Sequence, residues 1–183
     1  MRLFVALLLS DEVTDTLYQT MQSLRKHTIA GRFSRRENLH LTLAFIGETN
    51  RISQAKQALS QLRAEPFSIS LSGLGRFCRD GGDILWAGLD KNPALKALAQ
   101  QVQYNLKQVG FVLQERPFAA HLTLGREVTL EEGFDLRAFG RTLPKVSMEI
   151  GRVSLMKSER INGKLTYTEI AFVGLNKERH LKS

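Results

Sequence analysis

The sequence is poor in the features that mark several large protein classes. Its one cysteine, Cys78, excludes a disulfide framework and a cysteine-rich zinc site. The N-terminal apolar run covers only Leu3 to Leu9, far below the roughly 20 residues of a membrane-spanning helix. No proline-, glycine- or serine-rich linker divides the chain, and there is no low-complexity segment. We therefore expect a single domain over residues 1–183, no membrane association and a cytoplasmic location.

The composition that is present is that of a basic globular protein. Hydrophobic residues make up 43% and charged residues 24%, as in ordinary folded domains. The formal net charge is +8, which favours an anionic partner, and nucleic acid is the usual one. A basic solvated surface without a function is the alternative, because charge describes association and not chemistry.

Helical and strand patterns are mixed along the chain. Apolar spacing predicts three helices: one capped by Ser10, one from Ile52 to Leu62, and one begun by Asn92 and Pro93. Strands are predicted at residues 2–9, 38–46, 66–75, 84–89, 111–113, 120–124, 146–156 and 165–175. The basic segment 30–37 is predicted to be irregular. Neighbouring strands form hairpins, the last closed by the Asn162-Gly163 pair, which predicts an α+β fold with antiparallel sheets.

A four-residue repeat carries the candidate chemistry. The sequence His-Leu-Thr-Leu at residues 40–43 recurs at residues 121–124, each time within a predicted strand. Because side chains alternate between the faces of a strand, His40, Thr42 and Ala44 are expected on one face, and Leu41, Leu43 and Phe45 on the other. In the second copy, His121 and Thr123 share one face in the same way. Two such strands from paired lobes would line one cleft.

Two histidines and two threonines around a cleft suit phosphoryl chemistry. At neutral pH one imidazole can accept a proton while the other donates one, and threonine hydroxyls can hold a phosphoryl oxygen. Arg126 follows the second copy and offers a fixed positive charge, or else is a solvated strand-end residue. The other histidines, His27 and His180, have no such setting. Without Asp, Glu or Cys at ligand spacing, neither a metal nor a cofactor is expected.

Several other residues have two interpretations each. Phe45 is predicted to be core because it lies opposite His40 in the alternation, and Trp86 is predicted to be core within its strand. Phe33 and Phe118 lie just before the motif strands and either stack on a base or pack internally. The arginines of the basic segment either contact RNA phosphates or form a solvated loop: Arg32, Arg35 and Arg36.

The blocks around the two histidines resemble a known family. Residues 37–48, ENLHLTLAFIGE, and residues 116–126, RPFAAHLTLGR, are similar to the paired His-x-Thr/Ser-x motifs of the 2H phosphoesterase superfamily. Within it, the chain resembles the bacterial RNA 2′,3′-cyclic phosphodiesterases, also called 2′-5′ RNA ligase-like proteins. The opening strand, the strand of Trp86 and the hairpin around Tyr167 also fit. The family often has proline before the second histidine, where this chain has Ala120.

This resemblance implies both a fold and a reaction. The implied fold is bilobal α+β, with two intertwined lobes, two antiparallel sheets, outer helices and pseudo-two-fold symmetry around a central cleft. The implied reaction is metal-independent hydrolysis of a terminal 2′,3′-cyclic phosphate to a 2′-phosphate. His40 would be the proton donor and His121 the acceptor, while Thr42 and Thr123 would bind phosphate. The implied partners are RNA ends or nucleotides bearing a 2′,3′-cyclic phosphate, and a monomer is expected. The alternative is a 2′-5′ RNA ligase or an RNA-end-binding protein with incidental hydrolysis.

Overall fold

A computed structural model describes residues 1–176, so His180 and the predicted fraying of the last residues lie outside it. Within those residues the chain forms nine strands, four α-helices and one short 3-10 helix (Arg36–Asn38). The strands are β1 (Arg2–Leu8), β2 (Thr28–Phe33), β3 (His40–Glu48), β4 (Phe67–Phe77), β5 (Asp83–Leu89), β6 (Leu122–Leu130), β7 (Ser147–Ile150), β8 (Arg152–Ile161) and β9 (Lys164–Gly174). The helices are α1 (Asp11–Arg25), α2 (Ile52–Ser60), α3 (Pro93–Gln108) and α4 (Leu136–Gly140).

The strands form two antiparallel sheets. The first has the order β3-β1-β8-β9 and the second the order β2-β6-β5-β4-β7. The chain crosses between the sheets several times, since β2 and β3 are consecutive but belong to different ones. This architecture confirms the predicted α+β class with antiparallel sheets. Each sheet contains one of the two motif strands.

Leucine-rich faces of the strands and helices form the core. Ser10 caps α1 by accepting a hydrogen bond from the Val13 amide at 3.3 Å, and the stripe that includes Leu17 and Met21 is fully buried. One contiguous apolar cluster draws on both sheets and on the three long helices. No helix within residues 1–176 is both long enough and apolar enough to cross a bilayer.

Three predictions of local structure are wrong. Residues 28–33 form strand β2. Its four central residues are all exposed at the sheet edge, so no alternation of buried and exposed residues marks it as a strand. Residues 111–113 bury Phe111 and Leu113 but have no partner strand. The predicted strand 146–156 divides at Gly151 into β7 and β8, which belong to different sheets. The division falls where Ile150 and Val153 are both buried, so that the period of two is broken.

The cap of α3 gives a test of local stability. Asn92 Oδ1 accepts a hydrogen bond from the Leu95 amide at 3.0 Å, while its Nδ2 donates to the Ser68 carbonyl at 2.7 Å. We expect Asn92→Ala to lower the free energy of unfolding by about 1–2 kcal/mol, because a helix N–H then loses its acceptor. Asn92→Asp keeps the cap and should lose less, as measured by urea denaturation. Equal stability of the two variants would contradict this role.

Candidate active site

The two motif strands face each other across the space between the sheets. Strand β3 lies at the edge of the first sheet, β6 lies inside the second, and the two are in contact. Arg126 and His121 are both close enough to interact electrostatically with the His40 imidazole. The structure therefore brings together side chains from the two halves of the repeat, which lie far apart in the sequence.

Each motif histidine is oriented by its own strand. The His40 Nδ1 lies 2.7 Å from the carbonyl oxygen of Asn38, and the His121 Nδ1 lies 2.7 Å from that of Ala119. A carbonyl only accepts, so Nδ1 is the donor in both cases and Nε2 is the atom that exchanges protons. The His40 Nε2 also lies 2.9 Å from the Thr42 hydroxyl oxygen. Both imidazoles are thus presented in the same way.

An aromatic pocket surrounds the first histidine. The His40 ring lies 4.9 Å from the ring of Phe4 and 5.1 Å from that of Tyr167, which meets it edge to face. Burial lowers the pKa of His40, and the charges of Arg126 and His121 lower it further, although the hydrogen bond to the backbone opposes them. Burial also raises the pKa of Tyr167. The free protein therefore favours a neutral His40.

The second histidine has an aromatic neighbour of its own. The ring of Phe77 meets His121 edge to face at 5.2 Å and lies 5.4 Å from Trp86. Trp86 is the pairing partner of Thr123 and, like it, is half-buried. Side chains of directly paired residues project from the same face of a sheet, so the prediction that Trp86 is core is wrong: it lines the face that carries Thr123.

A β-bulge in β3 changes which side chains reach the cleft. Thr42 pairs with Ala6 but Ala44 pairs with Val5, so Leu43 is an extra residue. The alternation is therefore inverted at Ala44 and Phe45, before a second register shift at Ile46, and Ala44 joins the core instead of the face that carries His40. The prediction that Phe45 is core is wrong for the same reason. It pairs with Phe4 on the cleft face, and it is 65% exposed.

Strand β6 contains a bulge at the matching position. Thr123 pairs with Trp86 but Gly125 pairs with Leu85, so Leu124 is the extra residue. Gly125 thus faces the core, and the next residue, Arg126, returns to the face of Thr123. Burial follows the same order in both strands: two buried residues after the threonine, then an exposed one. Residues 45 and 126 are therefore structural equivalents, one aromatic and one cationic.

Arg126 is available to an anion in this arrangement. None of the ion pairs formed among residues 1–176 includes it. Its pairing partner Arg32 is bound to Glu127 at 2.9 Å instead. The charge of Arg126 also acts on Tyr167 across the cleft. Strand alternation without a bulge would have placed this guanidinium on the opposite face.

The other candidates from the sequence lie outside this group. Phe33 and Phe118 are partly buried and pack against the core cluster. Arg35 and Arg36 form ion pairs with Glu37 and Asp15, respectively, so the basic segment is largely neutralised.

The hairpin of β8 and β9 is anchored beside the first motif. Arg35 Nη1 and Asn38 Nδ2 both donate to the Leu165 carbonyl, at 3.1 and 2.9 Å. This fixes the strand that carries Tyr167 next to His40. No sequence pattern indicates this anchor, and none points to Phe77. Within residues 1–176, no group of three or more His, Cys, Asp or Glu side chains is placed to hold a metal ion.

Comparisons with known proteins agree with this geometry. A crystal structure of E. coli LigT complexed with 3′-AMP has a TM-score of 0.77 and 27% identity, covering 96% of this chain and 98% of that one. An RNA 2′,3′-cyclic phosphodiesterase of Archaeoglobus fulgidus is 35% identical over 130 residues, which are 69% of this chain and 72% of the relative. A relative of the same name from Escherichia coli K12 is 31% identical over 133 residues, 70% and 73% of the two chains.

A family-level match covers most of the sequence. The sequence model of the 2′-5′ RNA ligase superfamily matches residues 13–162, a span that includes both motif strands. This agrees with the resemblance carried by the paired motifs. The chain therefore belongs to the 2′-5′ RNA ligase superfamily.

Proposed function

We propose that this protein hydrolyses the 2′,3′-cyclic phosphodiester at the end of an RNA or on a nucleotide and leaves a 2′-phosphomonoester. The observation that carries the proposal is the opposed pair of histidines. Each has its Nδ1 bound to a backbone carbonyl, which leaves Nε2 for proton transfer, and the Nε2 of His40 lies beside the Thr42 hydroxyl. Arg126 is close enough for its charge to act on His40. All of these groups come from one chain, so we propose a monomer as the active form.

Each of the two imidazoles carries out one of the two proton transfers of the reaction. His121 Nε2 takes a proton from water as the water oxygen attacks phosphorus, while His40 Nε2 gives its proton to the departing O3′. The P–O3′ bond breaks, and the products are a 3′-hydroxyl and a 2′-phosphate. Proton exchange with solvent then restores both histidines. Thr42 and Thr123 donate hydrogen bonds to the phosphate, and Arg126 stabilises its developing negative charge.

The lowered pKa of His40 is compatible with its role as the acid. In the free protein, burial and neighbouring positive charges favour the neutral imidazole. A bound phosphate places an anion beside the same ring and favours the protonated form. Proton uptake by His40 is thus coupled to substrate binding, and the acid is formed when its substrate is present.

The nucleobase binds on Phe45 in this proposal. This ring is 65% exposed, lies on the same strand face as His40 and Thr42, and has its centroid 6.4 Å from that of Phe4. Aromatic rings exposed beside a phosphate site are suited to stack on a base of any sequence. Phe45 then binds the base of the substrate, and Arg126 binds its phosphate.

The relatives support this substrate class. The A. fulgidus and E. coli relatives are named RNA 2′,3′-cyclic phosphodiesterases. E. coli LigT has been crystallised in complex with 3′-AMP and with phosphate. The net charge of +8 is in keeping with an RNA substrate.

Removal of either histidine tests the catalytic assignment. We expect His40→Ala and His121→Ala each to lose about 10²-fold or more of the hydrolysis of a 2′,3′-cyclic-phosphate oligonucleotide, because each removes one proton-transfer group. The matched control is His27→Ala, since His27 lies beside Glu131 and stacks on Phe134. EDTA should leave activity unchanged. A metal requirement, or full activity in either cleft variant, would overturn the proposal.

Product analysis in the same assay separates hydrolysis from joining. The proposed reaction gives a 2′-phosphate. A 5′-hydroxyl RNA end in place of water would instead give a 2′-5′ linkage at the same site. We expect hydrolysis to dominate when both nucleophiles are supplied. Efficient joining without hydrolysis would identify a ligase, whereas RNA binding without turnover would identify a binding protein.

The pKa of His40 gives a test that follows protonation directly. We expect its NMR titration midpoint in the free protein to lie below the ordinary value of 6.5 and to rise when inorganic phosphate binds. Since the acid must be protonated, activity falls as the pH rises through this pKa. The alkaline limb should therefore lie at higher pH in the profile of kcat than in that of kcat/KM. Coincident limbs, with a midpoint unmoved by phosphate, would contradict the coupling.

Phe45 can be tested by truncation. We expect Phe45→Ala to lower kcat/KM for adenosine 2′,3′-cyclic phosphate about tenfold, because base–aromatic stacking is lost. A ribose 2′,3′-cyclic phosphate without a base should be unaffected. Tyr104→Ala removes another exposed aromatic ring, 62% exposed on helix α3, and should change neither substrate. Equal losses on the two substrates would show that Phe45 does not bind the base.

A further inference from the structure

The two bulges leave backbone groups that the sheets do not satisfy. A bulge interrupts the ladder of hydrogen bonds, and an unpaired carbonyl in a buried segment is costly. The extra residues, Leu43 and Leu124, are 2% and 0% exposed, so water is a poor partner for their carbonyls. Each therefore depends on a donor other than the strand against which it bulges, β1 for Leu43 and β5 for Leu124.

The two donors differ in kind. The Leu43 carbonyl accepts a hydrogen bond at 3.2 Å from the Nε2 of Gln103, which is a side chain of helix α3. The Leu124 carbonyl accepts one at 2.8 Å from the backbone amide of Ser34. The first bulge is thus held by a side chain and the second by the main chain.

Loss of the first bulge has a defined consequence. If Leu43 were not an extra residue, Ala44 and Phe45, which precede a second register shift at Ile46, would turn to the opposite face. Phe45 would then leave the cleft and Ala44 would enter it. His40 and Thr42 precede the bulge, and their face would stay the same. The bulge thus affects the aromatic ring separately from the first motif's histidine and threonine.

We propose that Gln103 is a positioning residue for nucleobase binding. Through its hydrogen bond to Leu43 it keeps the bulge in β3, and the bulge keeps Phe45 on the catalytic face. This inference rests on the proposed function, in which Phe45 stacks on the base. Gln103 contacts neither the substrate nor the histidines. It acts only by holding the backbone of β3 in its bulged conformation.

The test uses two substitutions that remove the donor and one that does not. Gln103→Leu and Gln103→Glu keep the size of the side chain but lose the N–H group at neutral pH. Gln101→Leu is the matched control, because Gln101 lies on the same helix and bonds to the backbone of Arg63 instead. We expect both Gln103 variants to raise KM for adenosine 2′,3′-cyclic phosphate about tenfold, the effect of losing one stacked base. Their kcat on the substrate without a base should match that of Gln101→Leu.

A double-mutant cycle separates positioning from a general loss of structure. In the Phe45→Ala background, Gln103→Leu should have no further effect, since the group that it positions is gone. Additive losses, or equal losses on substrates with and without a base, would overturn the inference.

A readout without catalysis keeps the two proposals apart. Nuclear Overhauser effects between the Phe4 and Phe45 rings should be present in the wild type and in Gln101→Leu, and absent in Gln103→Leu. If they disappear but the wild type hydrolyses no cyclic phosphate, the proposed function is wrong and Gln103 still positions Phe45. If they persist in Gln103→Leu, the inference about Gln103 is wrong.

Discussion

The hydrogen bond from each motif imidazole to the carbonyl two residues earlier sets the geometry of the cleft. A strand side chain at position i normally has only its rotamer preferences to orient it, but here the Nδ1–H of His40 and that of His121 are tied to their own backbones at 2.7 Å. The tautomer and the ring direction then follow from the course of the strand. Both Nε2 atoms point away from that anchor, and the contact between β3 and β6 brings the two motifs together.

Positive charge gathered in a partly buried cleft has an electrostatic cost in the free protein. Burial is the main reason that the pKa of His40 is lowered, and Arg126 and His121 add to this effect because both disfavour an imidazolium there. Among the described residues, Arg126 has no carboxylate partner, whereas Arg32, Arg35 and Arg36 all have one. The positive charge of Arg126 is therefore not balanced by a carboxylate of the described residues, and the cleft is suited to bind an anion. A phosphodiester with its single negative charge meets that requirement.

Sequence patterns predicted much of this arrangement and failed where backbone irregularities intervene. The placement of His40 and Thr42 on one face follows from period-two alternation, and the leucines between them predict the buried side. Phe45 was predicted to be core because alternation alone cannot register an extra residue. Whether a bulge forms depends on the partner strand and on a donor 60 residues away in the sequence, Gln103. Arg126 was assigned from its place beside the second motif, although simple alternation puts it on the wrong face.

The division of the strand that follows Lys145 shows a similar limit. Residues 146–156 are predicted from the sequence to form one strand, yet Gly151 separates two strands that belong to different sheets. The change is marked only by the burial of both Ile150 and Val153, which are three positions apart and so would lie on opposite faces of a regular strand. Such crossovers depend on the packing between the two sheets, so the local sequence indicates them only weakly.

The different donors at the two bulges affect how the protein can change over evolution. The Leu124 carbonyl is held by a backbone amide, so any residue except proline at position 34 preserves that hydrogen bond. The Leu43 carbonyl is held by one glutamine side chain, which a single nucleotide substitution can replace. The strand that carries Arg126 is thus protected against most mutations, and the strand that carries Phe45 is not. Divergence among related proteins is expected to be freer on the aromatic side of the cleft than on the cationic side.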